Sequence, residues 1–221
     1  MRNVLFSEGE YYHLFNRGVD HRNIIIDPYD LERFIKSLDE FNVESPIGSI
    51  YEHSFLSPEV KRKRKGKPLV RFACFCINPN HYHFLIEQLV EHGISKFMHR
   101  LSTGYTKYFN QKYNRSGVLF QGRFKAILVD SNEYLLRLSA YINLNDKVHK
   151  LGSSTSKLRC SSLPLYEHKG RQEKGGPLCK INNILDQFHS PREYTAFIED
   201  SLADTLRRKQ AEKELRSTLL E

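Results

Sequence analysis

Arg71-Phe72-Ala73-Cys74-Phe75-Cys76-Ile77-Asn78-Pro79-Asn80-His81-Tyr82-His83-Phe84-Leu85-Ile86-Glu87-Gln88 reads as two strands joined by a turn. Apolar and β-favouring residues fill both arms, while Asn78-Pro79-Asn80 breaks the pattern between them. On a strand the side chains at i and i+2 share a face, whereas on a helix they point about 200° apart. His81 and His83 can therefore share a metal ion only if this stretch is extended, with Tyr82 turned to the other face. The pattern His-x-His is short and recurs by chance, so the rest of the chain has to supply its meaning.

Outward from the hairpin, Tyr11-Tyr12-His13-Leu14-Phe15 is a first strand, closed by Asn16-Arg17-Gly18. Asp27-Pro28 opens a helix with Leu31, Phe34, Ile35, Leu38 and Phe41 at helical spacing. A second helix runs from about Ile94 to Tyr113, where Tyr105 and Tyr108 fit the core-facing spacing. Val118 to Val129 looks extended, and Asn132 is placed to cap a third helix holding Tyr134, Leu135, Leu138, Tyr141 and Ile142. The order is βαββαβ plus a helix, which predicts an α+β, ferredoxin-like (RRM-like) antiparallel sheet with helices on one face. The first and third strands are then central, and the sheet face bearing the histidines is expected to be open to a single nucleic-acid strand. Residues 1–150 are expected to form this catalytic domain, with 151–221 a mainly helical C-terminal extension. Its helices are expected around Ile181 to Phe188 and from Pro191 to about Leu219.

Composition narrows the partners. A net charge of +8 and a pI near 9.3 favour polyanions. No apolar run approaches the ~18–20 residues that span a bilayer, so no membrane partner is expected. The four cysteines form no disulfide framework, and a reducing cytosol fits them best. Lys61-Arg62-Lys63-Arg64-Lys65-Gly66-Lys67 reads as a solvated loop that would attract phosphate if it lies beside the sheet.

Downstream, Tyr141-Ile142-Asn143-Leu144-Asn145 puts Tyr141 and Asn145 at i, i+4, one face of a helix. Two imidazoles, an amide oxygen and a phenol are complementary parts for attack on a phosphodiester. Alone, Tyr141 reads more simply as a core or surface tyrosine, and Asn145 as a helix C-cap. A zinc site of Cys74, Cys76, His81 and His83 is the other metal reading, and turn length decides it. A three-residue turn sends the cysteines to the opposite face from His81, whereas a two-residue turn brings them together.

The ordered stretches Tyr12-His13-Leu14-Phe15-Asn16-Arg17-Gly18, Asn78-Pro79-Asn80-His81-Tyr82-His83-Phe84-Leu85-Ile86, Tyr105-Thr106-Lys107-Tyr108-Phe109-Asn110, Gly117-Val118-Leu119-Phe120-Gln121-Gly122-Arg123-Phe124 and Tyr141-Ile142-Asn143-Leu144-Asn145 carry a resemblance. Over roughly residues 10 to 150 the chain resembles the HUH single-strand nucleases, specifically the one-tyrosine transposases of the IS200/IS605 type. The nearer likeness is to the REP-associated tyrosine transposase branch.

The resemblance implies a metal-dependent single-strand DNA endonuclease and strand transferase. Cutting at or near hairpin DNA would pass through a 5′-phosphotyrosine, with palindromic single-stranded DNA as partner and a monomer or homodimer as the working unit. It makes Tyr141 the nucleophile and His81, His83 and Asn145 the ligands of Mg²⁺ or Mn²⁺. Arg17, Gln121, Arg123 and the run Lys61, Arg62, Lys63 and Arg64 are the candidate DNA contacts. The different-class alternative is a non-catalytic nucleic-acid-binding protein on the same sheet. The family commonly continues Asn-Pro where this chain has Asn145-Asp146, and often has Met where this chain has Asn78. The first change is expected to have a modest effect on geometry and the second none on the chemistry, and His149 is expected to be a surface histidine.

Overall fold

The computed structural model describes residues 4–64, 66–149, 151–167 and 179–218. Five strands form one antiparallel sheet in the order β4-β1-β3-β2-β5. They are β1 (Tyr11–Arg17), β2 (Val70–Ile77), β3 (His81–Gln88), β4 (Lys125–Leu128) and β5 (Cys160–Ser161). As the sequence predicts, β1 and β3 are central, and the turn between β2 and β3 places both histidines in the middle of the sheet.

Two helices, α1 (Pro28–Glu40) and α4 (Gly93–Lys112), cover one face. Between them in sequence lie the short α2 (Ile50–Ser54) and α3 (Pro58–Arg64). Side chains alternate as a pleat requires. Leu14 and Tyr12 from β1, Phe72, Phe75 and Ile77 from β2, and Tyr82, Phe84 and Ile86 from β3 enter the core under α1 and α4. Phe34, Phe97, Leu101 and Tyr105 close it from the helices, so Tyr105 is core, with its hydroxyl donating to the Ile24 carbonyl at 2.6 Å.

The opposite face is not left bare. Helix α5 (Asn132–Asn143), the single turn α6 (Asn145–Val148), and α7 (Leu163–Glu167), α8 (Asn182–Leu185) and α9 (Pro191–Thr218) follow. Leu85, Cys74 and Cys76 from the sheet meet Leu138 and Ile142 of α5, with Tyr166, Ile184, Tyr194 and Ile198 from the C-terminal stretch. The broad open face expected from the sequence is therefore reduced to the turn end of the sheet. Burial on both faces is also why β2 reads as a continuous apolar run instead of an alternating one.

Local chemistry explains the boundaries. Asp27 starts α1 with a reciprocal capping box: its carboxylate accepts from the Asp30 amide at 2.9 Å, and Asp30 accepts in return from the Asp27 amide. Helix α5 is capped by Ser131, whose hydroxyl accepts from the Tyr134 amide at 3.2 Å, one residue before the Asn132 expected. The extended stretch over 118–129 narrows to β4 and a single bridge from Phe120 to Gly18, because the chain bends at Gly122 with φ of 68°. The basic run is not wholly a loop. Pro58 to Arg64 is helical, since Ser57 caps the Val60 amide and Lys and Arg are good helix formers. Lys65 and the side chains of Arg62, Lys63 and Arg64 lie outside the described residues.

Asp30 is fully buried and accepts hydrogen bonds from Lys112 at 2.7 Å, Tyr113 at 2.7 Å and Tyr108 at 3.1 Å, tying α1 to the end of α4. Asp30→Ala removes half of the α1 capping box and the acceptor of Tyr108, while Lys112 and Tyr113 keep Asp27 at 2.6 and 3.3 Å, and is expected to cost about 2–3 kcal/mol. Chemical denaturation measures it, and a loss below about 1 kcal/mol would show that the network is dispensable.

Candidate active site

The turn between β2 and β3 is two residues long. Ile77 pairs with Tyr82, and the Asn78 amide donates to the His81 carbonyl at 2.8 Å. This sets Cys76 opposite His83 and turns His81 and His83 to the α5 face, while Tyr82 stacks on Phe84 in the other core. The cysteines thus share the histidines' face, yet no group of three or more His, Cys, Asp or Glu side chains suited to a metal exists among the described residues. Burial also pushes the Cys74 and Cys76 thiols far up, away from the thiolate that zinc requires. The four-ligand zinc reading is not supported.

Each histidine has its Nδ1 engaged by a neighbouring side chain. His81 Nδ1 lies 2.7 Å from Asn80 Oδ1, a pure acceptor, so Nδ1 carries the proton and Nε2 presents a lone pair. That Nε2 lies 2.9 Å from Asn145 Oδ1. The Asn78 amide NH₂ donates to both atoms, at 3.0 Å to His81 and 2.8 Å to Asn145. Asn78, expected to be a bystander, thus aims two of the candidate ligands at one point. Nothing in its residue type signalled this, because it depends on α6 arriving over the turn.

His83 Nδ1 lies 2.9 Å from Nε2 of His13, with both rings buried. Sequence reasoning missed His13. The signal was present: alternation along β1 puts His13 on the face opposite Tyr12 and Leu14, and β1 neighbours β3 in the predicted plan. Phe15 sits directly across from His83, with rings 5.5 Å apart.

Tyr141 stands edge-on to His83, with ring centroids 5.5 Å apart, and to His13 at 6.5 Å. Burial raises its pKa, and the nearby Asn145 amide, whose buried Nδ2 has no hydrogen-bond partner, pulls it partly back. Helix α5 ends at Asn143, and Leu144, at φ −107° and ψ 17°, breaks the regular helix. Asn145 is therefore not the cap but the first residue of α6, fully buried. Asp146 pairs with Arg159 at 3.0 Å, so the turn closes without the proline that the resemblance led one to expect.

A cleft of about 750 Å³ opens over these groups, lined by Arg17, His21, Gln121, Lys125, His81, His83, Tyr141 and His149 among others. Arg17 is hydrogen-bonded to Gln121 and reaches His21 at 3.4 Å. Arg123 is exposed and lines no part of this cleft. Lys61 donates instead to the Ser54 carbonyl at 3.2 Å. His149 is solvent-exposed, yet its ring lies 4.8 Å from that of His81.

Burial lowers all four imidazoles, His13 and His149 to about 4, and His81 and His83 below their usual value. A histidine in the unfolded chain ionises near 6.5, so as pH falls below that value the unfolded state gains protons that the folded state refuses. Stability is then present above pH ~6.5 and lost towards pH ~4. His13 alone accounts for about 2 kcal/mol at pH 5. Unfolding of chelator-treated protein should show at least this loss between pH 7 and pH 5. An unchanged midpoint would mean the rings are not held neutral.

Residues 58–145 match the family model described as "Transposase IS200 like", a span that holds His81, His83, Tyr141 and Asn145. A solved structure described as that of "the REP associates tyrosine transposase bound to a REP hairpin" is similar at a TM-score of 0.49 and 13% identity. The match covers 78% of this chain and 88% of that one. No curated protein matches the chain at a significant level. The chain is thus similar to IS200-like transposases over residues 58–145, the stretch that supplies both histidines, the nucleophile candidate and its neighbouring amide.

Proposed function

We propose that the chain cuts and rejoins single-stranded DNA at or near hairpins, with Tyr141 as nucleophile and a divalent cation held by His81, His83 and Asn145. The observation that supports it most is the convergence of His81 Nε2 and Asn145 Oδ1, 2.9 Å apart, beside a tyrosine packed on His83. Two imidazoles and an amide oxygen suit Mn²⁺ better than Mg²⁺, which prefers an all-oxygen shell. When bound, the cation would polarise the scissile phosphate and offset the charge that develops on it.

The remaining work belongs to the chain. Arg17, His21 and Lys125 attract and align the strand's phosphates along the cleft. The partnerless Asn145 amide nitrogen beside Tyr141 is available to stabilise the phenolate, which a neutral phenol of pKa ~10 must become before attack. The Tyr141 oxygen then bonds to phosphorus as the bond to the departing 3′-oxygen breaks. The products are a 5′-phosphotyrosine and a free 3′-hydroxyl. The ester keeps the phosphodiester's bond energy, so the same tyrosine can return the strand to a new 3′-end. A hydrolytic water would discard that energy. Hairpin oligonucleotides labelled at either end, incubated with Mn²⁺, test the reading. A protein adduct on the 5′-phosphate fragment is expected, and binding without any adduct would favour a non-catalytic DNA-binding role.

A further inference from the structure

A second cleft, about 710 Å³, lies on the other side of Tyr141, between α5, α9 and the edge formed by β1 and β4. It shares Phe15, His83 and Tyr141 with the first, so the two spaces meet at the reacting groups. A phosphodiester inside a strand carries nucleotides on both sides. One cleft holds one side only; a site that cuts within a strand needs a second trough starting at the nucleophile.

The two troughs differ in chemistry. The first carries Arg17, His21, Lys125 and His149 and suits the sugar–phosphate backbone. The second is walled by Phe15, Ile127, Tyr134 and Phe197, rings and branched carbon that match the faces of bases. Its side on α9 is polar and solvent-facing. Asp200, Asp204 and Arg208 recur every four residues along that side, with Ser201 and Thr205 beside them. Asp204 is tied to Arg207 at 2.5 Å, and Arg137, across the cleft, to Glu133 at 2.7 Å. Two carboxylates and two guanidiniums (Asp200, Asp204, Arg137 and Arg208) leave this trough with no net positive charge to hold a phosphate chain, while the carboxylates can accept hydrogen bonds from base amino groups.

We propose that this second cleft is a nucleobase-binding subsite for the nucleotides on the far side of the scissile phosphate. The strand then crosses Tyr141 from the cationic trough into the aromatic one. The inference rests on the reading of the chain as a single-strand DNA nuclease.

The test uses full-length Tyr141→Phe protein and single-stranded thymidine and cytidine oligonucleotides of increasing length, followed by fluorescence anisotropy. Affinity should rise in a second step once the oligonucleotide outgrows the first cleft, and cytidine should gain more than thymidine. Ser201→Trp, which fills the second cleft, should remove that step, a loss of roughly tenfold on long oligonucleotides and none on short ones. Thr205→Trp does the same from a neighbouring turn and guards against a folding artefact at one site, with thermal melting checking both. Arg17→Ala should weaken every length alike. If Arg17→Ala weakens binding while both tryptophan variants keep the wild-type length dependence, the subsite is wrong and the DNA reading stands. If no oligonucleotide binds the parent protein, both fall.

Discussion

Tyr141→Phe is expected to abolish covalent capture of DNA, with a loss of at least about 10³-fold in cleavage, and to leave oligonucleotide affinity within a few-fold of wild type. The ring would keep its edge contacts with His83 and His13, so the pocket walls stay as they are. Only the oxygen that bonds to phosphorus is removed. Tyr141 is half-buried and its hydroxyl makes no hydrogen bond among the described residues, so its loss is expected to change stability by about 1 kcal/mol at most. Denaturing gels with end-labelled hairpins read the adduct directly. Cleavage that survives in Tyr141→Phe would move the nucleophile elsewhere and defeat the assignment.

His83→Ala is expected to lower Mn²⁺ affinity by more than about 100-fold, and His13→Leu by about 10- to 100-fold without touching the ion. If His83 Nδ1–H donates to His13 Nε2 across their 2.9 Å contact, His83 Nε2 is left with its lone pair facing the cleft. Without an acceptor at position 13, His83 is free to place its proton on Nε2 and lose its ligating form. His81 is held in the same way by Asn80. His13→Gln keeps an acceptor oxygen and should recover part of the loss. Electron paramagnetic resonance of Mn²⁺ gives the affinities, and nitrogen chemical shifts of the metal-free protein give the His83 tautomer. Equal Mn²⁺ affinity in wild type and His83→Ala would sink the ligand set, whereas an unchanged tautomer in His13→Leu would sink only the positioning role.

The similarity to IS200-like transposases spans residues 58–145 and includes every residue proposed to act in the chemistry. Among the described residues no helix is long and apolar enough to cross a membrane. The C-terminal stretch contributes Tyr166, Ile184, Tyr194 and Ile198 to the core beneath α5, and Tyr194 receives a hydrogen bond from Asn143 at 2.8 Å. Truncation before α7 would therefore strip the packing from the helix that carries Tyr141.

The sequence by itself determined the strand pair around Asn78-Pro79-Asn80, the shared face of His81 and His83, the central place of β1 and β3, and the i, i+4 relation of Tyr141 to Asn145. These follow from local rules: a period of two in strands, 3.6 in helices, and turn residues between them. Tertiary structure alone decided that Asn78 bridges His81 and Asn145, that His13 holds His83, that His149 reaches His81, and that α5 with α9 closes most of the second sheet face. Those contacts join distant residues, 70 positions apart in the His13–His83 pair and more than 100 where α9 meets the sheet. Their distances depend on how helices settle on the sheet, and no periodicity along the chain records that.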